Sequence, residues 1–252
     1  MLTANEAVAR LLSEAEIPCV YRIHEDPPTE KIEDFILFAH NLGFDTSVIS
    51  REKITTNDLS HLLSEAERKG LSAPISYTLL RSLAKARYSE IRSRHFGLSL
   101  DYYCHFTSPI RRLSDLATHR IIHRVLIEGK RPEAYRSYAK RAAVAATDAE
   151  VRALGAERRI ENLYKTLYMS QFIGDEFDAV VCSITSFGMF AELENTCEGL
   201  IPISEMPGLF VYDEGNRTLR AGNVVYRLGD KIRVRLEEAD MIRGKLRFAL
   251  IL

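Results

Sequence analysis

No run in the 252-residue chain approaches the ~18 consecutive apolar residues that a membrane span requires, which excludes a helical membrane protein. The opening, MLTANEAVARLLSEAE, lacks the basic-then-apolar order of a secretory signal. Cysteine is scarce and has no tell-tale spacing. Cys19, Cys104, Cys182 and Cys197 form no CxxC and pair with no histidine motif, so neither a zinc site nor a disulfide framework is expected. These thiols read as reduced side chains of a cytoplasmic protein. Internal repeats and low-complexity tracts are also lacking. With 46% hydrophobic and 27% charged residues, the composition excludes a disordered tail or a fibre. The length allows one large domain or two smaller ones.

Net charge is scarce as well, −1 overall, but it is unevenly spread. Residues 1–80 carry −6 and residues 173–252 carry −4, whereas residues 81–124 carry +6 with four of the seven histidines, and 125–172 carry +3. A near-neutral chain with its positive charge gathered in the middle fits an anion-binding site, and equally an ordinary solvated basic face.

The first 172 residues read mainly as helices. Ala4, Val8, Leu11 and Leu12 keep the helical period until Pro18. Thr29 can cap a second helix carrying Ile32, Phe35, Ile36 and Ala39 towards Gly43. A third helix is predicted from about Thr56 to Lys69 and a fourth from near Ser76. The aromatic-rich HFGLSLDYYCHF stretch reads as a strand or an extended loop. Helix resumes at Ser108-Pro109 towards Glu128, and a long helix is predicted from about Ala146 to Gln171. At Gly174 the texture changes to short alternating runs, around Phe177–Ser183, Met189–Leu193, Gly199–Ile203, Lys231–Leu236 and Lys245–Leu250. Five such strands separated by Gly and Pro predict a small barrel. The expected class is α+β, with a helical domain over residues 1–172 and a five-stranded barrel over 173–252.

Thr107-Ser108-Pro109-Ile110-Arg111-Arg112 carries the chemistry. Serine favours the helix cap and proline the first helical position, so a helix is predicted to start here with free N–H groups suited to phosphate. Two arginines sit poorly with the positive end of that dipole unless an anion neutralises them, and a guanidinium can grip phosphate bidentately. The alternative is an arginine paired with a core carboxylate such as Asp115. Glu157 is a second oddity. Val151, Leu154, Ile160, Tyr164 and Leu167 form a stripe at helical spacing, and Glu157 falls inside it. A carboxylate among apolar neighbours needs a fixed partner, either a site arginine or a plain ion-pair partner on another helix.

HFGLSLDYYCHFTSPIRRLSDLATHR, with Ser82, Ala86 and Tyr88 before it and Tyr21-Arg22-Ile23-His24 further upstream, resembles the RNB family of 3′→5′ exoribonucleases, the ribonuclease II and ribonuclease R type. Arg94, Cys104, Leu113 and Ser114 stand where that family more often has Gly, Thr, Tyr and Pro. The resemblance covers the whole chain. It implies a processive hydrolase that releases nucleoside 5′-monophosphates from single-stranded RNA. Arg111 would contact the backbone beside the scissile phosphate, and Glu157 would lie near the RNA 3′ end. Arg112, His105, Thr107 and Ser108 would form the supporting shell, with Phe106 either core or a stacking ring. It also implies Mg²⁺ held by an aspartate cluster upstream of the text matching Met1. No comparable run is present in this chain: Glu25-Asp26 and Glu33-Asp34 are its nearest acidic pairs. The chain is therefore expected to be the C-terminal half of such an enzyme, a cytoplasmic monomer inactive by itself and a partner for the missing N-terminal half.

GDEFDAVVCSITSFGMFAELE, EGLIPISEM and YRLGDKIRVRLEEAD resemble an S-one-type OB domain, a module that binds RNA. Phe187 and Phe190 flank Gly188 at a strand turn, where rings can stack on bases, although Phe190 can equally fill the barrel core. Tyr212, Arg243 and Lys245 could extend that surface. Pro202 replaces a histidine common in the family. The alternatives to an exoribonuclease are a non-catalytic RNA-binding protein and an interaction scaffold whose positive centre is an ion-pair network.

Overall fold

A computed structural model describes residues 1–46 and 54–251. Its helices are α1 (Leu2–Glu14), α2 (Thr29–Asn41), α3 (Thr56–Arg68), α4 (Ser72–Ser82), α5 (Leu113–Ile122) and α6 (Arg136–Met169). Its strands are β1 (Tyr21–Ile23), β2 (Arg87–Ser89), β3 (Glu176–Thr185), β4 (Gly188–Leu193), β5 (Glu198–Pro202), β6 (Val211–Asp213), β7 (Thr218–Ala221), β8 (Val224–Tyr226), β9 (Lys231–Asp240) and β10 (Lys245–Ile251). By internal packing the chain forms two compact units, Met1–Pro28 with Leu83–Gly155, and Thr29–Ser82 with Ala156–Leu252. The change from helix to strand near residue 174 is therefore not where the packing divides.

In the first unit, the period of α1 buries Ala9 and Leu12 against Val20, Ile23, Ala117, Ile121, Ala139 and Ala143. The small alanines of α6 allow close helix approach, while β1 and β2 form an antiparallel pair with Arg22 opposite Tyr88. Cys19 and Cys104 are free thiols inside this core.

In the second unit, five strands close a barrel in the order β10-β5-β4-β3-β9. Alternation sends Ala179, Val181, Met189, Ala191, Leu193, Ile201, Val234, Leu236, Leu246 and Phe248 inwards, all buried. The closure is the parallel β10–β5 pair, with Arg247 beside Leu200. Gly199 is required there, because an added Cβ would overlap the Phe248 ring. The helices of residues 29–82 belong to this unit: Tyr77 donates to Ser183 Oγ at 2.8 Å, and the Arg217 guanidinium lies 5.7 Å from the centre of the Phe38 ring. α3 starts on a capping box in which Thr55 and Asp58 satisfy each other's backbone N–H groups. The β6-β7-β8 sheet has strands too short to announce themselves by alternation.

α6 runs 34 residues, starting ten residues earlier than its sequence pattern suggested. The expected burial along it is not found. Val151, Leu154, Ile160, Tyr164 and Leu167 are 45–69% exposed. Glu157 is exposed too, with no hydrogen bond or ion pair to any described residue. The stripe is real, but no described residue covers it.

Candidate nucleic-acid interface

Ser108-Pro109 does not begin a helix. α5 begins at Leu113 with Arg112 as its N-cap, and residues 108–111 form a turn in which Arg111 N donates to Ser108 O at 3.3 Å. Serine at the first and proline at the second turn position are as favourable as in a helix start. Asp115, in the first turn of α5 and fully buried, decides between the two. Its Oδ1 accepts the Ser108 N–H at 2.8 Å and the Arg112 Nη2 at 2.8 Å, and its Oδ2 accepts Ser114 Oγ at 3.1 Å. Burial alone would raise its pKa, but Arg112, the Ser108 N–H and Ser114 outweigh it and hold the carboxyl below its ordinary value.

The two arginines thus have different fates. Arg112 is half-buried and spent on Asp115, the core-carboxylate alternative raised by the sequence. Arg111 is exposed and its guanidinium has no partner among the described residues. The candidate anion contact is thus an arginine on a turn rather than a helix N-terminus.

Thr107 and Ser108 are half-buried. His105 shares a 2.9 Å hydrogen bond with Tyr88 Oη. Burial, then Arg112 and Arg22, push its imidazole down to about 4, so it is neutral near pH 7 and no cation for phosphate. Arg22, above the Tyr88 ring at 4.6 Å, is tied to Glu150 at 2.6 Å. Phe106 stacks on His119 at 4.1 Å, which in turn bonds Phe106 O.

On the barrel, Phe187 is 55% exposed and Phe190 half-buried, with rings edge-to-face at 6.0 Å. Met189, not Phe190, points into the core. The turn needs Gly188, whose φ is +149° and whose Cβ would collide with Ile201 O. Phe190 sits opposite Leu200, and Leu200 beside Arg247. Arg247, which the sequence reading passed over, therefore lies in that row. Its fork is held by Glu205 at 2.8 Å and Glu238 at 3.0 Å. Only the parallel β10–β5 pairing reveals this, and residue alternation cannot. Lys245 lies at the start of β10, and Arg243 on the β9–β10 turn near Asp240 at 3.6 Å. Tyr212 belongs to the separate β6-β7-β8 sheet.

Among the described residues no three His, Cys, Asp or Glu side chains converge so as to hold a metal ion. The described residues do not fit a Mg²⁺ centre.

The outward arginine turn of the helical unit and the ring-bearing five-stranded barrel are the candidate interface surfaces. An RNB domain model matches residues 1–128 and an S1 RNA binding domain model matches residues 170–251; the chain belongs to the RNB family. It is similar to ribonuclease R 1 of Lactococcus lactis, 37% identical over 98% of this chain and 31% of that protein. It is also similar to ribonuclease R of Aquifex aeolicus, 35% identical over 100% of this chain and 36% of the relative. The chain spans about a third of the length of these curated relatives. The apo form of Mycoplasma genitalium RNase R matches with a TM-score of 0.91 at 30% identity, over 100% of this chain and 40% of that one. That protein has also been solved with ribose-methylated single-stranded RNA.

Proposed function

We propose that this chain is the C-terminal part of a processive 3′→5′ exoribonuclease that hydrolyses RNA to nucleoside 5′-monophosphates. The observation that carries this reading is the division between Arg112, tied to buried Asp115, and Arg111, exposed beside it. A fixed cation aimed at developing phosphate charge is a large catalytic contribution, commonly ~2.7–4 kcal/mol. Phe187 and Phe190 offer single-stranded RNA a sequence-tolerant stacking surface. Mg²⁺ and its ligands come from residues outside this chain, in the N-terminal half of the enzyme. The exposed apolar line on α6 and Glu157 within it face that half, and the enzyme works as a cytoplasmic monomer.

Joining this chain to the remaining part of Mycoplasma genitalium RNase R tests the reading. The hybrid should shorten 5′-labelled single-stranded RNA from its 3′ end, and Arg111→Ala should lose turnover far more than affinity. A folded hybrid whose turnover ignores Arg111→Ala overturns the assignment. The second reading is a non-catalytic RNA-binding protein of the same family. A folded hybrid that binds RNA without shortening it supports that reading.

A further inference from the structure

We propose that Asp115 is a positioning residue for Arg111, acting through the turn that carries Arg111; this rests on the reading of Arg111 as a phosphate contact. Two consecutive arginines, one on the turn and one capping the helix that follows it, could reach the same ligand or fold back on the same carboxylate. The buried Asp115 removes that ambiguity. One carboxylate oxygen takes both the Ser108 N–H and the Arg112 guanidinium, each at 2.8 Å, and the other takes Ser114 Oγ at 3.1 Å. Residues 108 and 112 are thereby held to one point from both ends of the turn. Arg111 N and Arg112 N both donate to Ser108 O, at 3.3 and 3.2 Å. With its neighbour pulled inwards and its own backbone fixed, Arg111 is left outward. A ligand then meets a guanidinium whose backbone is already ordered, so less freedom is lost on binding.

A purely structural role is the competing account. A carboxylate in the first turn of α5 stabilises the helix N-terminus whatever Arg111 does. Salt dependence separates the two, because each phosphate contact on a single strand contributes about −0.7 to the slope of log affinity against log salt. The full chain, Arg111→Ala, Asp115→Asn and the double variant should be titrated with a single-stranded oligoadenylate over a range of KCl concentrations, below every melting transition.

Arg111→Ala and Asp115→Asn should each flatten the slope by about 0.7, and the double variant no further. If Asp115→Asn melts lower but keeps the parent slope, Asp115 is structural only and the inference is overturned, while the reading of Arg111 stands. If Arg111→Ala keeps the parent slope, the reading beneath the inference fails, and the inference with it. Should Asp115→Asn not fold, Ser114→Ala removes one donor and keeps the charge pair. A loss of affinity that disappears in the Arg111→Ala background supports the positioning role; no loss, or one that adds there, overturns it.

Discussion

Phe187→Ala should weaken RNA binding and leave the barrel standing. The ring is 55% exposed, and the aromatic contact it loses is the edge-to-face pair with Phe190 at 6.0 Å. Such pairs contribute ~0.5–1.5 kcal/mol, which bounds the expected destabilisation. A base stacked on the same ring contributes ~1–3 kcal/mol, or about 5- to 150-fold in affinity. Phe248→Ala is the contrasting control. That ring is fully buried against Gly199, and its truncation should cost ~3–5 kcal/mol of stability. Phe190→Ala should fall between them, since the ring faces outwards beside Leu200 but is half-buried. Thermal melting and anisotropy titration of a labelled single-stranded oligoribonucleotide measure the two quantities in the same samples. If Phe187→Ala loses several kcal/mol of stability while binding RNA as well as the parent, the outer-face platform is misassigned.

The chain alone should not degrade RNA at any Mg²⁺ concentration, because no described cluster can hold the ion that makes the nucleophile; mononucleotide release that Arg111→Ala abolishes would refute this. His95 and His105 are both pushed from the ordinary 6.5 to about 4, chiefly by burial. The unfolded chain therefore takes up their protons first, so stability should be full above pH 6.5 and fall as pH drops towards about 4. Melting followed from pH 7.5 downwards, with His105→Gln flattening the trend, checks it, and a profile unmoved by that substitution counts against it. Phe187→Ala should shift affinity equally at every salt concentration, whereas Arg111→Ala should change the salt slope; parallel titrations of the two decide.

The sequence made the helical-then-barrel order legible because each element has one dominant period and clear punctuation. The Ser-Pro pair did not resolve, since it suits a turn as well as a helix start, and the deciding group, Asp115, bonds backwards over seven residues. The apolar stripe of α6 showed what that face is suited to pack on. It did not show that a covering surface lies among the described residues, so Glu157 was expected to have a fixed partner and has none there. Arg247 was hidden for a topological reason: β5 and β10 are far apart in sequence and pair in parallel.

The charge distribution shows most clearly why local placement outranks totals. The +6 of residues 81–124 looks like a broad anion-binding face. Yet Arg87, Arg112 and Arg124 are tied to Glu25, Asp115 and Glu128, Arg92 lies over Tyr102, and His95 and His105 are held neutral near pH 7. The barrel repeats the pattern, with Arg233, Arg235, Arg243 and Arg247 each facing a carboxylate under a net charge of −4. Surface pairs of this kind add little stability, but they cancel the field an approaching phosphate would feel. On the proposed reading, an RNA strand meets exposed rings on the barrel, where contact is largely independent of salt, and on the helical unit the guanidinium of Arg111 among other exposed cations such as Lys85, Arg120 and Arg141, where it is not. On that reading each unit would hold RNA by a different physical force, and the two contributions would be told apart in one titration series.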